Sequence, residues 1–102
     1  LNSTPEQVVK MSESWIVYIV ECRDQSYYTG CTVNLEARIA AHNSGKGAKY
    51  TNSRRPVQVV YQEVYADRSA AQKREAAIKK LRRQEKQKLF QKWVTINVLE
   101  IA

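Results

Sequence analysis

The sequence predicts an α+β domain in which helices flank a small three-stranded sheet, in the order β-β-α-β-α-α. Two observations support this fold class. Runs rich in β-branched and aromatic residues, typical of strands, extend from Trp15 to Cys22 and from Val57 to Tyr65. Between and after them, apolar residues recur at helical spacing behind good N-cap residues. Helices that flank a small antiparallel or mixed sheet give an α+β architecture.

The first two strands are predicted to form a hairpin. Strand Trp15 to Cys22 is followed by a turn-like Arg-Asp-Gln-Ser segment, and Tyr27 to Cys31 returns. A register with Cys22 opposite Tyr28 places Tyr18 opposite Thr32, so both tyrosines point to one face. A slip of one residue would separate them. We adopt the first register because chemistry shared by the two tyrosines requires it.

A helix is predicted from Asn34 to Asn43, with Asn34 as N-cap and Gly45 as the stop. Arg38 and His42 are four residues apart and therefore share a face of this helix. The segment from Gly45 to Pro56 is a basic loop with one helical turn around Lys49 to Asn52.

Strand Val57 to Tyr65 is followed by a long helix that a Ser69-x-x-Gln72 capping box is predicted to open. Its inner side carries Ala71, Glu75 and Ile78. A further helix from Gln84 to Trp93 directs Leu89 and Phe90 inward.

Length and composition indicate one folded domain. A chain of 102 residues with 43% hydrophobic content supports a single core. We assign residues 1–14 to a flexible extension, 15–92 to the domain and 93–102 to an apolar tail. The tail is a strand, a docking segment or a contact for self-association, and the oligomeric state is open.

Several classes of protein are disfavoured. No run approaches the ~18 apolar residues of a membrane span, and no signal peptide is recognisable. We therefore expect a cytoplasmic protein without a membrane partner. Cys22 and Cys31 are expected to be reduced, and a single histidine makes a zinc site improbable.

Positive charge is concentrated in two segments. The net charge is +7 and the pI about 9.6. Residues 46–55 contain four basic side chains and no acid, and residues 73–92 contain nine basic side chains against two acids. Such a surface suits a polyanion, although a solvated Lys-rich helix would look the same. The mixture of cations and one aromatic ring suits nucleic-acid phosphates with a stacking base. The candidate contacts are Lys46, Lys49, Tyr50, Arg54, Arg55 and Lys73.

Three side chains have the chemistry of a phosphodiester-cleaving site. A carboxylate on an apolar helix face is costly unless it is paired, so Glu75 is either an ion-pair partner or a ligand for a hard cation. Arg38 matches phosphate oxygens with its planar fork. His42 titrates in the range that proton transfer requires. Tyr18 and Tyr28 are ambiguous alone, because strand tyrosines are usually core aromatics.

The order of the motifs resembles the GIY-YIG nuclease domain. The matching segments are W-I-V-Y-I-V-E-C, S-Y-Y-T-G and N-L-E-A-R-I-A-A-H-N, between residues 15 and 43. The continuation H-N-S-G-K-G-A-K-Y-T, R-R-P-V and D-R-S-A-A-Q-K-R-E is similar to small stand-alone bacterial members. The first triplet keeps only its tyrosine, Tyr18, and the second reads Tyr28-Thr29-Gly30. The family's asparagine beyond the metal glutamate is missing, since Gln84 and Gln87 occupy that stretch.

The resemblance implies a metal-dependent endonuclease acting on DNA, with RNA as an open alternative. It implies that Glu75 holds Mg²⁺ or Mn²⁺ and that Arg38 stabilises the phosphoryl charge. It also implies that Tyr18, Tyr28 and His42 position and activate water; whether Tyr18 or His42 is the general base is open. Two rivals stand beside it. One is a non-catalytic nucleic-acid-binding module on the same scaffold, and the other a protein-interaction domain using the apolar tail.

Overall fold

The order of elements follows the predicted pattern, with the basic loop's single turn counted as a helix. The computed structural model describes the backbone of residues 14–101 and the side chains as far as Lys92, so the proposed N-terminal extension lies outside the described residues except for its last position. The elements are β1 (Trp15–Cys22), β2 (Tyr27–Thr32), α1 (Leu35–Asn43), α2 (Lys49–Asn52), β3 (Val57–Tyr65), α3 (Arg68–Lys79) and α4 (Arg83–Ile101). The α+β prediction is confirmed.

The sheet is antiparallel, with β1 in the centre and strand order β2-β1-β3. The predicted hairpin register is wrong by two residues, because Tyr18 lies opposite Gly30 and Tyr28 lies opposite Val20. The turn explains the shift. Gln25 adopts a left-handed φ of 69°, and the Asp24 carboxylate accepts the Ser26 N–H at 3.0 Å, which closes the hairpin earlier than expected. An even shift preserves the face of every side chain, so both tyrosines still lie on one face.

Each face of the sheet has its own core. On one face, Val17 and Ile19 pack with Ala71 and Ile78 of α3, and Leu89 and Phe90 of α4 close the cluster as predicted. On the other face, Tyr18, Val20, Cys22 and Val57 pack against Leu35 and Ile39 of α1. Both cysteines are free, and because Cys31 packs against the first cluster, the sheet separates the two thiols.

The helix caps show one correct and one wrong prediction. Asn34 caps α1 by accepting the Ala37 N–H at 3.0 Å, and Gly45 follows with a φ of +85°. The Ser69-x-x-Gln72 capping box is wrong, because α3 begins at Arg68. Asp67 is its N-cap and accepts the Ala70 N–H at 2.8 Å. A carboxylate one residue before the helix satisfies the free N–H group and also complements the positive helix end.

Helix α4 continues to Ile101, which excludes the strand interpretation of the C-terminal tail. The side chains beyond Lys92 are not among those described, so self-association through the tail remains a prediction. Within residues 14–101, no helix has the length and apolar character needed to cross a bilayer.

An ion pair anchors α3 to the edge strand β3. Arg74 donates to both carboxylate oxygens of Glu63, at 2.9 Å each, and the hydroxyls of Tyr61 and Tyr65 donate to the same carboxylate. Burial opposes the charge on Glu63, but these hydrogen bonds hold its pKa below the usual value. Successive helical residues are about 100° apart, so anchoring Arg74 also fixes the direction in which Glu75 projects.

Candidate active site

Tyr18 and His42 form a buried hydrogen bond at the centre of the α1 face. The phenol oxygen lies 2.9 Å from His42 Nε2, and the two residues are 0% and 1% exposed. The last turn of α1 positions His42 over the sheet. Tyr28 joins them from β2, with its ring 5.4 Å from the imidazole in an edge-on arrangement. The structure therefore brings together the two tyrosines and the histidine that sequence analysis singled out.

Arg38 acts electrostatically on the Tyr18 phenol. Burial, followed by the neighbouring Tyr28, raises the pKa of Tyr18 to about 12, while the charge and hydrogen bond of Arg38 oppose the rise. The phenol is therefore protonated near neutral pH. A guanidinium has only donors, so the phenol oxygen is the acceptor toward Arg38.

An open cavity of about 420 Å³ lies next to this pair. Arg38 is exposed there, one turn before His42 on α1. The lining residues are Tyr28, Arg38, Ala41, His42, Lys46, Gly47 and Ala48. No acidic side chain contributes to this lining, so the cavity suits an anion.

Two glycines make room for the buried pair. A Cβ on Gly30 would lie 2.3 Å from the Tyr18 hydroxyl, and one on Gly47 would lie 2.3 Å from His42 Nδ1. Sequence analysis gave no role to Gly47. Its close contact is with His42 of α1, a helix that precedes Gly47 in the chain. The close approach of backbone to side chain explains why glycine is required at both positions.

Thr51 is a second residue that sequence analysis did not identify as part of the site. Its hydroxyl lies 2.7 Å from His42 Nδ1, and the residue is 0% exposed. The helical turn predicted around Lys49 to Asn52 is the element that presents it. A threonine on a short turn in a basic loop carries no local signal of a buried contact.

Glu75 lies at the edge of the site rather than in the cavity lining. Its side chain is 21% exposed and forms an ion pair with Lys79 at 3.0 Å, as the ion-pair alternative of the sequence analysis expects. After burial, its charge contributes to raising the pKa of Tyr18 on β1 and that of Cys31 on β2. Glu75 thus acts electrostatically on Tyr18, although its helix α3 packs on the opposite face of the sheet.

The residues around Glu75 fit only one kind of metal site. Among the described residues, no group of three or more His, Cys, Asp or Glu side chains could hold an ion. One carboxylate can hold Mg²⁺ when water and substrate phosphate oxygens complete the coordination sphere. The described residues therefore fit a cation shared with bound substrate and do not fit one held by protein ligands alone.

The basic loop lies against the site through its aromatic residue. Tyr50 stacks on Tyr28 at 6.0 Å, and the Arg54 guanidinium lies 4.0 Å over the Tyr50 ring. Arg54 also pairs with Asp24 at 3.1 Å. Lys46 lines the cavity, whereas Lys49 is exposed on α2.

Arg55 belongs to a second basic pocket, of about 460 Å³, which it forms with Arg23, Asn43, Asn52, Ser53 and Pro56. The Arg55 guanidinium is held by the carbonyls of Asn52 and Asn43, at 2.9 and 3.4 Å. Lys73 is exposed on α3 and lines neither pocket. Five of the six predicted nucleic-acid contacts thus come from one loop, and Lys73 lies apart.

We expect the stability of the fold to fall as pH decreases from about 7.5 to 5.5, through the titration of His42. Burial, and then the charge of Arg38, lowers its pKa below 6.5. The unfolded chain therefore takes up a proton first, and stability is lost from the unfolded pKa downward. Because only one proton is taken up, the free energy of unfolding falls by at most about 1.4 kcal/mol per pH unit. Urea unfolding at several pH values measures it. His42→Gln should give a flat profile, and an equally flat parent would contradict the lowered pKa.

The chain is similar to several known proteins. The chain matches the family model described as the GIY-YIG catalytic domain over residues 14–89. It is 59% identical to a UPF0213 protein of Staphylococcus haemolyticus over 75 residues, which are 74% of this chain and 92% of that protein. A UPF0213 protein of Haloquadratum walsbyi is 49% identical over 85% of this chain and 98% of its own length. A solution NMR structure of an E. faecalis protein, 44% identical, superimposes with a TM-score of 0.54 over 83% of this chain and 88% of that one.

Proposed function

The chain belongs to the GIY-YIG family of the nuclease superfamily, and from this premise we propose that it is a divalent-metal-dependent endonuclease that hydrolyses phosphodiester bonds in DNA. The observation that carries the proposal is the buried Tyr18–His42 hydrogen bond beside an open, acid-free cavity that contains Arg38. A proton acceptor, a guanidinium and an anion-sized space are what in-line attack of water on a phosphate requires.

The Tyr18–His42 pair acts as the base in this proposal. Attacking water forms the new bond to phosphorus and gives a proton to the Tyr18 oxygen, while Tyr18 passes its own proton to His42 Nε2. The bond between phosphorus and the leaving sugar oxygen breaks with its electron pair, and that oxygen takes a proton from solvent. Because the pKa of Tyr18 is raised to about 12, the phenol is not deprotonated before the reaction, and it acts by relaying a proton.

Arg38 has two roles in succession. Tyr18 is 0% exposed in the free protein, so the step requires Arg38 to leave the phenol for the substrate. Its fork then binds two phosphate oxygens and stabilises their charge. Tyr28, whose ring packs edge-on against the imidazole, keeps His42 in place and forms part of the wall near the attacking water.

Glu75 is the proposed ligand of Mg²⁺ or Mn²⁺, shared with the substrate phosphate. When bound, the cation would supply Lewis-acid stabilisation at the phosphoryl group. Lys79 must release the carboxylate for this role. A helical i,i+4 pair is typically worth only about 0.3–0.5 kcal/mol, so the exchange is inexpensive.

The alternative function is a non-catalytic nucleic-acid-binding module. The Glu75–Lys79 ion pair and the glutamines in place of the family asparagine favour it. Incubation with single-stranded, duplex and branched DNA and with RNA, with and without Mg²⁺, separates the two. Cleavage that requires the cation supports the nuclease, and binding without cleavage supports the module. We propose the cytoplasm as the site of action on this substrate.

We expect binding to be salt-sensitive and largely independent of sequence. For duplex DNA, each phosphate neutralised by a basic side chain contributes about 0.9 to the slope of log affinity against log salt. Lys46→Ala removes a cation from the cavity lining and should reduce the slope by about 0.9. Lys73→Ala removes the same charge from exposed α3 and should change the slope less. Fluorescence anisotropy at several salt concentrations measures both, and an affinity of the parent that does not depend on salt would rule out this mode of binding.

A further inference from the structure

We propose that Thr51 is a positioning residue that holds His42 in the tautomer able to accept the Tyr18 proton. The consequence for rate rests on the proposed function, but the tautomer is a property of the folded chain. Thr51 Oγ1 lies 2.7 Å from His42 Nδ1 and 3.0 Å from the carbonyl oxygen of Ala48. Both the threonine and the histidine are buried, at 0% and 1% exposure, so water does not compete for these bonds.

The single hydrogen of the Thr51 hydroxyl indicates which group donates in the hydrogen bond between Thr51 and His42. A threonine hydroxyl has one hydrogen, and Thr51 donates it to Ala48. The same oxygen must then accept from His42, so Nδ1 carries the proton and Nε2 does not. The Ala48 carbonyl also accepts the backbone N–H groups of Thr51 and Asn52, at 3.1 and 3.2 Å. The first turn of α2 therefore holds the hydroxyl and its acceptor together.

The Tyr18 end leads independently to the same tautomer. The phenol is protonated near neutral pH, and His42 Nε2, 2.9 Å away, is the acceptor that the described residues offer to its proton. In the reverse tautomer, Nε2–H would donate to the phenol oxygen. The Tyr18 proton would then have no acceptor among its contacts in the described part of the chain. An unsatisfied buried donor costs about 1–3 kcal/mol, which favours the Nδ1–H form.

The position of Thr51 links the relay to the substrate loop. Tyr50, its neighbour on α2, stacks on Tyr28 at the edge of the site. The same short turn thus presents an aromatic ring to the proposed nucleic-acid surface and the hydroxyl that orients the base. A disturbance of α2 should therefore reach the proton relay.

The tautomer can be read directly because the chain contains one histidine. Long-range ¹H–¹⁵N correlation on labelled protein above the His42 pKa should show a pyrrole-like shift at Nδ1 and a pyridine-like shift at Nε2. Thr51→Ser should keep this pattern, whereas Thr51→Val, which removes the hydroxyl at nearly constant shape, should mix or invert it. Thr29→Val is the matched control. Thr29 is also buried, but its hydroxyl has no partner within the described residues, so the pattern should not change.

The outcomes separate this inference from the proposed function. A parent protein with Nε2 protonated overturns the proposal, and so does Thr51→Val with the parent's pattern. If Thr51→Val does not fold, the His42 spectra of Thr51→Ala and of the parent protein test the proposal in its place. On a DNA substrate that the parent cleaves, Thr51→Val should lower kcat by about 10- to 100-fold at unchanged KM, with recovery in Thr51→Ser. A parent that cleaves nothing contradicts the nuclease proposal and leaves the tautomer result standing.

Discussion

Glu75→Ala is expected to abolish metal-dependent cleavage, with a loss of about 100-fold or more, while DNA affinity stays nearly unchanged. The carboxylate is the proposed protein ligand of the cation, whereas the basic loop carries the electrostatic affinity. The fold should survive, because the side chain is 21% exposed and its ion pair is with Lys79 of the same helix. Single-turnover cleavage and anisotropy at fixed salt, on protein verified by circular dichroism, give the two quantities.

Two further variants make the Glu75 result specific. Glu36→Ala removes the same charge from an exposed position on α1 and should leave cleavage at the parent rate. Arg38→Ala should lower both turnover and, more mildly, binding, because its fork is proposed to touch the substrate. If Glu75→Ala cleaves at the parent rate, the assignment of the metal ligand is wrong.

Gly30→Ala is expected to damage both the fold and the reaction. The added methyl would lie 2.3 Å from the Tyr18 hydroxyl and 2.9 Å from the ring edge. The ring is 0% exposed and packed in a core cluster, so it cannot turn aside without displacing its neighbours. Overpacking of this kind costs about 1–3 kcal/mol. Loss of the Tyr18–His42 bond should also lower cleavage by about 100-fold.

Urea unfolding and the His42 ¹⁵N spectrum test the Gly30 prediction without relying on activity. Cys31→Ala is a suitable control, because this neighbouring side chain faces the opposite side of the sheet. Parent-like stability together with an unchanged His42 spectrum in Gly30→Ala would show that the close approach does not constrain Tyr18.

Patterns that repeat along the chain predicted the fold well. Alternation in β1 and β2 placed Tyr18 and Tyr28 on one face even though the register was wrong by two residues, because the side-chain period of a strand is two. The register itself depends on the turn, where Asp24 accepts from Ser26 and Gln25 adopts a left-handed conformation. Composition alone does not reveal which turn residue will adopt that conformation.

Tertiary contacts account for most of what the sequence could not predict. Helical spacing placed Ala71, Glu75 and Ile78 on one side of α3, and two of them are fully buried. Helical spacing could not show that Glu75 pairs with Lys79 and not with Arg74. Arg74 forms its ion pair with Glu63 on the edge strand β3. The contacts of Thr51 and Gly47 with His42 join separate elements, so no local pattern reports them.

The central claim is tested most directly by cleavage of duplex, single-stranded and branched DNA in ¹⁸O-enriched water, at fixed salt, with Mg²⁺ and with a chelator. The account predicts strand cleavage only when the cation is present, with one ¹⁸O atom incorporated into the product phosphate by the attacking water. Tight DNA binding without cleavage of any of these substrates in the presence of Mg²⁺ would contradict it and favour the binding module.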